Sequence, residues 1–380
     1  MIKVGLERID EYLHLFEGKR VGIITNPTGV DHEFRSTVDI LVEKVHVTAL
    51  FSPEHGIRGN LQAGVHLDPY VDEKTKTKVY SLYGNTRKPT QEMLDDVDVL
   101  VFDIQDVGAR FYTFLYTMVY AMQACQEYGK TFVVLDRPNP VGGVKVEGNI
   151  LDITYRSFVG YYAIPQRFGL TIGELARYFN EIEKIHCDLH VIPLQGWKRS
   201  MHYRDTGRHW IAPSPNIPTP ETCYPYLATC IFEGTNVSEG RGTTKPFHFI
   251  GAPWMKVEDV IHEFNQYHLQ GISLREQYFT PMFSKHQGQL CHGLEFIVTC
   301  DQEADLIYAG MVLFKIIEKI HPEFEILPPF REGSHLFIQL LVGDQFLQHK
   351  MIDLDTIKQK LTNDAQTFQT LKEMFHLYDV

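Results

Sequence analysis

One pattern recurs along the first half of the chain: an apolar run of strand length, then a polar cluster, then a stretch with helical spacing. VGIIT (21–25) ends at Asn26-Pro27, and VTALF (47–51) ends at Ser52-Pro53-Glu54-His55-Gly56. VLVFD (99–103) ends at Ile104-Gln105-Asp106, and FVVLD (132–136) ends at Arg137-Pro138-Asn139-Pro140. Near-continuous Val/Ile/Leu/Phe runs without alternation mark strands buried on both faces, hence a parallel sheet. Between them 37–44, 90–96 and 114–128 read as helices, the last stopped by Gly129. Strands alternating with helices give an α/β fold: a Rossmann-like, mostly parallel sheet.

The pattern continues less regularly. Thr171-Ile172-Gly173-Glu174 has the form of a capping box opening a helix to about 184, and 189–194 reads as a strand. From 197 to about 244 the chain is rich in Gly, Pro, Ser, Thr and Asn, and its two Trp and several Tyr favour an ordered functional loop. Beyond it, helices are expected at 257–267, 303–320, 351–361 and 367–377, with strands at 294–298 and 335–339. A chain of 380 residues is long enough for two domains. The division expected is 1–240 for the Rossmann-like domain and 241–380 for a smaller α/β C-terminal domain.

Several function classes fall away. The net charge of −12 argues against nucleic acid as the main partner, since phosphate binding is dominated by Lys and Arg. No run of about 18 apolar residues is present to span a membrane. No G-x-G-x-x-G follows the first strand and no G-x-x-x-x-G-K-[ST] occurs, so no nucleotide cofactor is expected. Six Cys without a C-x-x-C pair read as buried free thiols. Without a basic segment followed by an apolar run at the N-terminus, the chain is expected to be cytoplasmic as it stands, or secreted if a leader has been removed.

In open parallel sheets, ligands bind beyond the carboxyl ends of the strands. Four such ends carry Asn26, Glu54 with His55, Asp103 with Asp106, and Asp136 with Arg137 and Asn139. Glu54, partly desolvated there, has the makings of a general acid; its alternative is a helix cap or a partner for Arg58. Asp103 and Asp106 either face one cleft, with a metal as one option, or serve as an N-cap and a partner for Arg110. The 136–140 turn, stiffened by prolines, either holds ligand hydroxyls or a carboxylate, or satisfies itself. Glu233, Asn236, Glu239 and Arg241 lie in a Gly-rich loop, where Glu239 is a candidate second carboxylate. The spacing of His286, Cys291 and His292 matches no structural zinc pattern, and no metal is expected.

The strings TNPTG (25–29), SPEHGIRG (52–59), SLYG (81–84), FDIQDVGARFYT (102–113), LDRPNP (135–140), SFVG (157–160), SPNIPT (214–219), FEGTNVSEGRGTTKPF (232–247) and GAPW (251–254) together resemble the exo-β-N-acetylmuramidase family, long classed as a domain of unknown function. The resemblance covers nearly the whole chain. It implies a glycoside hydrolase that releases N-acetylmuramic acid from the non-reducing end of peptidoglycan fragments. It also implies a cleft between a Rossmann-like catalytic domain and a smaller C-terminal domain. Glu54 of the SPEHG string is the position carried over as catalytic acid, with Glu239, Asp103 or Asp106 as nucleophile, base or charge stabiliser. Arg58, Arg110, Arg137 or Arg241 would pair with the lactyl carboxylate of the sugar. Asn26, His55, Tyr112, Asp136, Asn139 and Asn236 would serve its hydroxyl and acetamido groups. Two other readings use the same residues: a non-catalytic muropeptide- or sugar-binding protein, and a metal-dependent hydrolase built on Asp103 and Asp106. Secreted members of the family carry a leader, which this sequence does not show.

Overall fold

A computed structural model describes residues 1–53, 56–57, 70–84, 86–349 and 352–380. The large sheet contains β1 (Arg20–Thr25), β2 (His46–Ser52), β3 (Tyr70–Val71), β4 (Lys78–Ser81), β5 (Val99–Asp103), β6 (Thr131–Leu135) and β7 (Asp188–Ile192). Their order is β3-β4-β2-β1-β5-β6-β7, parallel throughout except for the short β3–β4 pair. The four apolar runs of the sequence are β1, β2, β5 and β6. The order reverses between β1 and β5, where the chain leaves β1 toward β2 on one side and later fills the other side. That point is where doubly wound sheets open a crevice beyond their carboxyl ends.

Alternate residues of these strands supply two separate cores, as a period of two requires. Val21, Ile23, Leu50, Val99 and Val101 face the N-terminal 3-10 helix (Gly5–Leu15) and the helix Thr37–Lys44. Ile24, Phe51, Leu100, Phe102 and Phe132 face the helices Phe114–Tyr128 and Ile172–Glu181. The second helix opens with the expected capping box, Thr171 and Glu174 each bonding the other's backbone N–H. This second core runs unbroken through Leu227 into the C-terminal unit, taking in Leu313, Phe314, Ile338 and Leu341. The smaller unit is built on an antiparallel sheet, β8 (Phe249–Ala252), β9 (Ile272–Phe279) and β10 (Cys291–Val298), in the order β8-β10-β9.

Three sequence expectations are corrected. The strand expected at 335–339 is the start of the helix Phe337–Val342, which buries Ile338, Leu341 and Val342 on one face. An apolar run this short carries too few residues for period to separate strand from helix. The two helices expected at 351–361 and 367–377 include one continuous helix, Leu354–Lys372, followed by a single 3-10 turn. Inside the irregular stretch lies a fully buried helix, Cys223–Thr229. Its Pro225 sits in the first turn, where a missing N–H costs nothing.

The C-terminal tail straps the large sheet. Lys372 Nζ donates to the carbonyls of Gly143 (2.8 Å), Val144 (3.1 Å) and Gly169 (3.1 Å). The Tyr378 hydroxyl donates to Asp136 and accepts from the Leu194 N–H. A buried ammonium with three carbonyl acceptors is expensive to remove because its partners stay behind. Lys372→Met is expected to lower unfolding stability by about 1–3 kcal/mol, read as a lower urea midpoint at unchanged slope.

Candidate active site

The large sheet and the C-terminal unit meet in a cleft of about 230 Å³ beyond β5. Phe111 to Phe114, from the segment after β5, form one wall. Ser214, Pro215 and Asn216 of the SPNIPT string form a second, and Tyr226, Glu233 and Arg241 a third. The aromatic floor is fixed by edge-to-face contacts of Tyr226 with Phe111, Tyr112 and Phe247.

The charged side of the cleft is built around Glu239, which is only 2% exposed. Its Oε1 lies 3.3 Å from Arg241 Nε and its Oε2 lies 2.7 Å from Lys285 Nζ. The Lys285 ammonium directs its N–H groups to the carbonyls of Phe232, Thr235 and Val237. The Lys285–Glu239 pair is therefore a charge contact rather than a hydrogen bond, and Oε2 accepts none among the described residues. Arg241 stacks over Phe247, 5.1 Å from the ring centroid, and donates to Glu233 Oε1 at 2.6 Å. Glu233 reaches the cleft surface. Burial pushes its pKa above the ordinary carboxylate range; Arg241 opposes the shift and the nearby charge of Glu239 adds to it.

The other sequence-derived residues take varied positions. Glu54, His55 and Arg58 lie outside the described residues. Tyr112 and Arg241 line the cleft. Asp103 is fully buried and bidentate to Arg137, with the Thr37 hydroxyl on its second oxygen. Arg137 also donates to the Val30 carbonyl and lines a neighbouring pocket of about 190 Å³ with Thr28, Tyr203 and Arg208. Asp106 accepts from the Gly108 N–H at 2.7 Å, across a turn that places Gly108 at φ +79°. Its Oδ1 has no partner among the described residues, and burial pushes the carboxyl up to about 7.

Asp136 accepts from the Arg137 and Gly173 N–H groups and from the Thr171 and Tyr378 hydroxyls. Asn26 and Asn139 each accept from a backbone N–H two residues on, and Asn139 also donates to the Leu170 carbonyl. Asn236 bonds the backbone of Glu323 and Glu325. Arg110 is fully buried and donates to the carbonyls of Asn149, Ile164, Leu341 and Val342. It thus caps the carboxyl end of the helix Phe337–Val342, a favoured place for a cation, and although its Nε has no partner among the described residues, its complete burial keeps it from a substrate carboxylate. Sequence reasoning named Glu233 in the Gly-rich loop but chose Glu239 as the candidate carboxylate; Asn216, inside the SPNIPT string, and Tyr226 were not singled out.

Family models for the N-terminal and C-terminal parts of the exo-β-N-acetylmuramidase NamZ match residues 21–221 and 224–378. The chain belongs to the exo-β-N-acetylmuramidase family. It is 52% identical over 372 residues to the peptidoglycan β-N-acetylmuramidase NamZ of Bacillus subtilis, covering 97% of this chain and 88% of that one. Two solved DUF1343-family proteins of Bacteroides fragilis share the fold across all of this chain and 99% of theirs. One has a TM-score of 0.91 at 38% identity and the other 0.81 at 32%. In this member of the family, Glu239 neutralises two cations at once. Glu239→Ala is expected to lower stability by about 2–4 kcal/mol, seen as a depressed melting temperature, because it leaves Lys285 without its carboxylate and Arg241 with Glu233 alone.

Proposed function

We propose that the cleft binds the terminal N-acetylmuramic acid of peptidoglycan fragments and hydrolyses its β-glycosidic bond by carboxylate acid–base chemistry. The observation that carries this reading is Glu233: a cleft-facing carboxyl with a raised pKa, fixed beside Arg241. A volume of about 230 Å³ falls below the roughly 300–1,000 Å³ of pockets for drug-sized ligands, which suits a single sugar ring at a chain end. Arg241 is the cleft cation placed to meet the lactyl carboxylate, and Tyr112 and Asn216 line the space for the ring.

Hydrolysis needs two carboxyl groups flanking the scissile bond, one to protonate the leaving oxygen and one to act on the anomeric carbon or a water. Glu233 supplies one. Glu54, which follows Pro53 beyond the end of β2, is proposed as the other, in keeping with its place in the family string. Asp103 is unsuited to either role or to a metal, since Arg137 and Thr37 occupy both its oxygens.

The test is release of chromophore from a β-glycoside of N-acetylmuramic acid, with and without a chelator. Full release in chelator is expected, whereas release only with added divalent metal favours a metal-dependent hydrolase, and binding without release a sugar-binding protein. Glu233→Gln and Glu54→Gln are each expected to lower kcat by about 10²–10⁴-fold with the fold intact by circular dichroism. Glu239→Gln removes a like charge from beside Glu233 and leaves the cations in place. Loss of that like charge beside retained cations favours ionised Glu233, so the limb of the pH–kcat/KM profile set by Glu233 is expected to move to lower pH.

A further inference from the structure

We propose that the tip of the β9–β10 hairpin is the binding platform for the saccharide on the leaving-group side of the scissile bond. The inference rests on the reading of the cleft given above. A trough continues outward from the cleft and shares Pro215 and Asn216 with it. Tyr278, Met282 and Phe283 line it and are 52%, 74% and 51% exposed. Exposed apolar groups clustered beside a polar cleft mark a ligand surface rather than ordinary scatter. Here the rim is polar in the way a sugar requires: Asn216, Thr243, Thr244 and Gln277 offer amide and hydroxyl groups around the aromatic faces.

The platform is held rigidly although its side chains are exposed. The Met282 N–H donates to the Gly242 carbonyl at 2.9 Å. Gly242 sits at φ +80°, and a Cβ there would lie 2.7 Å from the backbone N and O of Phe283. The hairpin tip therefore packs directly on the loop that carries Arg241. Lys285, two residues on, bonds the 232–237 segment and contacts Glu239, and the His286 ring bonds the Asn236 carbonyl. Tyr278 is fixed from behind by parallel stacking on His292, 4.4 Å between centroids. A hairpin backbone already held in place, with the Tyr278 ring fixed by its stack, loses little freedom when a ligand covers it, so the surface is pre-organised for binding. An exo-acting enzyme that holds one sugar in its cleft must leave the rest of the glycan outside, and this trough opens from that cleft.

The test is the Tyr278→Ala/Phe283→Ala double variant assayed on two substrates. On the chromogenic monosaccharide, whose aglycone carries no second sugar, kcat at saturating substrate within about twofold of the parent is expected, which also shows that the fold is intact. On muramic-acid-terminated glycans of two or more sugars, KM is expected to rise about tenfold or more, the scale of two lost aromatic contacts. Loss of activity on neither substrate, or an equal loss on both, overturns the platform. Calorimetric titration with N,N′-diacetylchitobiose provides an arm independent of catalysis: binding to the parent that is lost in the variant supports the platform, and undiminished binding or none to the parent overturns it. If the parent protein hydrolyses neither substrate, the reading of the cleft falls, while the chitobiose titration still decides on the platform.

Discussion

The Glu239 carboxylate, buried between Arg241 and Lys285, is the contact on which the site depends. A carboxylate this deep is tolerated only when paired, and here one anion satisfies two cations that have separate tasks. Arg241 orients Glu233 at the cleft surface. Lys285 gathers three carbonyls from the 232–237 turn and so closes that turn. One charge cluster thereby joins the acidic loop to the base of the β9–β10 hairpin and makes them a single rigid wall. The arrangement explains why the wall can be rich in glycine without being loose: the glycines permit close approach, and the ion pairs supply the stiffness.

The polar residues at the strand ends have a different task from the one their position suggests. Asp103 joins the end of β5 to Thr37 and Arg137, and Asp136 gathers four donors from three segments. Asn26 and Asn139 close their own turns, and Arg110 bonds four carbonyls in two units. Loops leaving a parallel sheet carry backbone groups that no strand partner satisfies, so buried side chains must satisfy them. The strand-end rule points to the edge of the sheet beyond which the proposed cleft opens. It does not separate side chains that touch a ligand from side chains that fix the loops around it.

That distinction marks how far the sequence was legible. The parallel strands were readable because burial on both faces leaves a continuous apolar run. The helix Ile172–Glu181 was readable because its capping box is local in sequence. The helix Cys223–Thr229 was hidden because its burial is total, its first turn contains proline and, apart from Leu227 and Ala228, its residues are weak helix formers, so tertiary packing has to make it helical. The strand β9 was hidden because half of its side chains are exposed and only its two end residues are buried. At the site, the Gly-rich loop was identified as functional and its carboxylates were named. Which of them faces the cleft depends on Lys285, some 46 residues beyond Glu239, and no local pattern carries that information.

The shared core sets how the two units can work together. Side chains from the sheet face and from the helices Leu306–Ile320 and Phe337–Val342 pack as one cluster, and Arg110 crosses the same boundary with four hydrogen bonds. An interface this apolar and continuous behaves as the interior of a single domain, in contrast to the wetter contacts across which domains move. The cleft walls from Phe111–Phe114 and from Glu233 and Arg241 are thus fixed relative to one another before any ligand arrives. For hydrolysis of a glycosidic bond that is an advantage, because catalysis relies on charges already in place when the oxocarbenium-like state develops. It also shifts the burden of selecting a chain end from motion to shape. On the proposed reading, the cleft takes one ring and the rest of the glycan leaves through the trough that shares Pro215 and Asn216 with it.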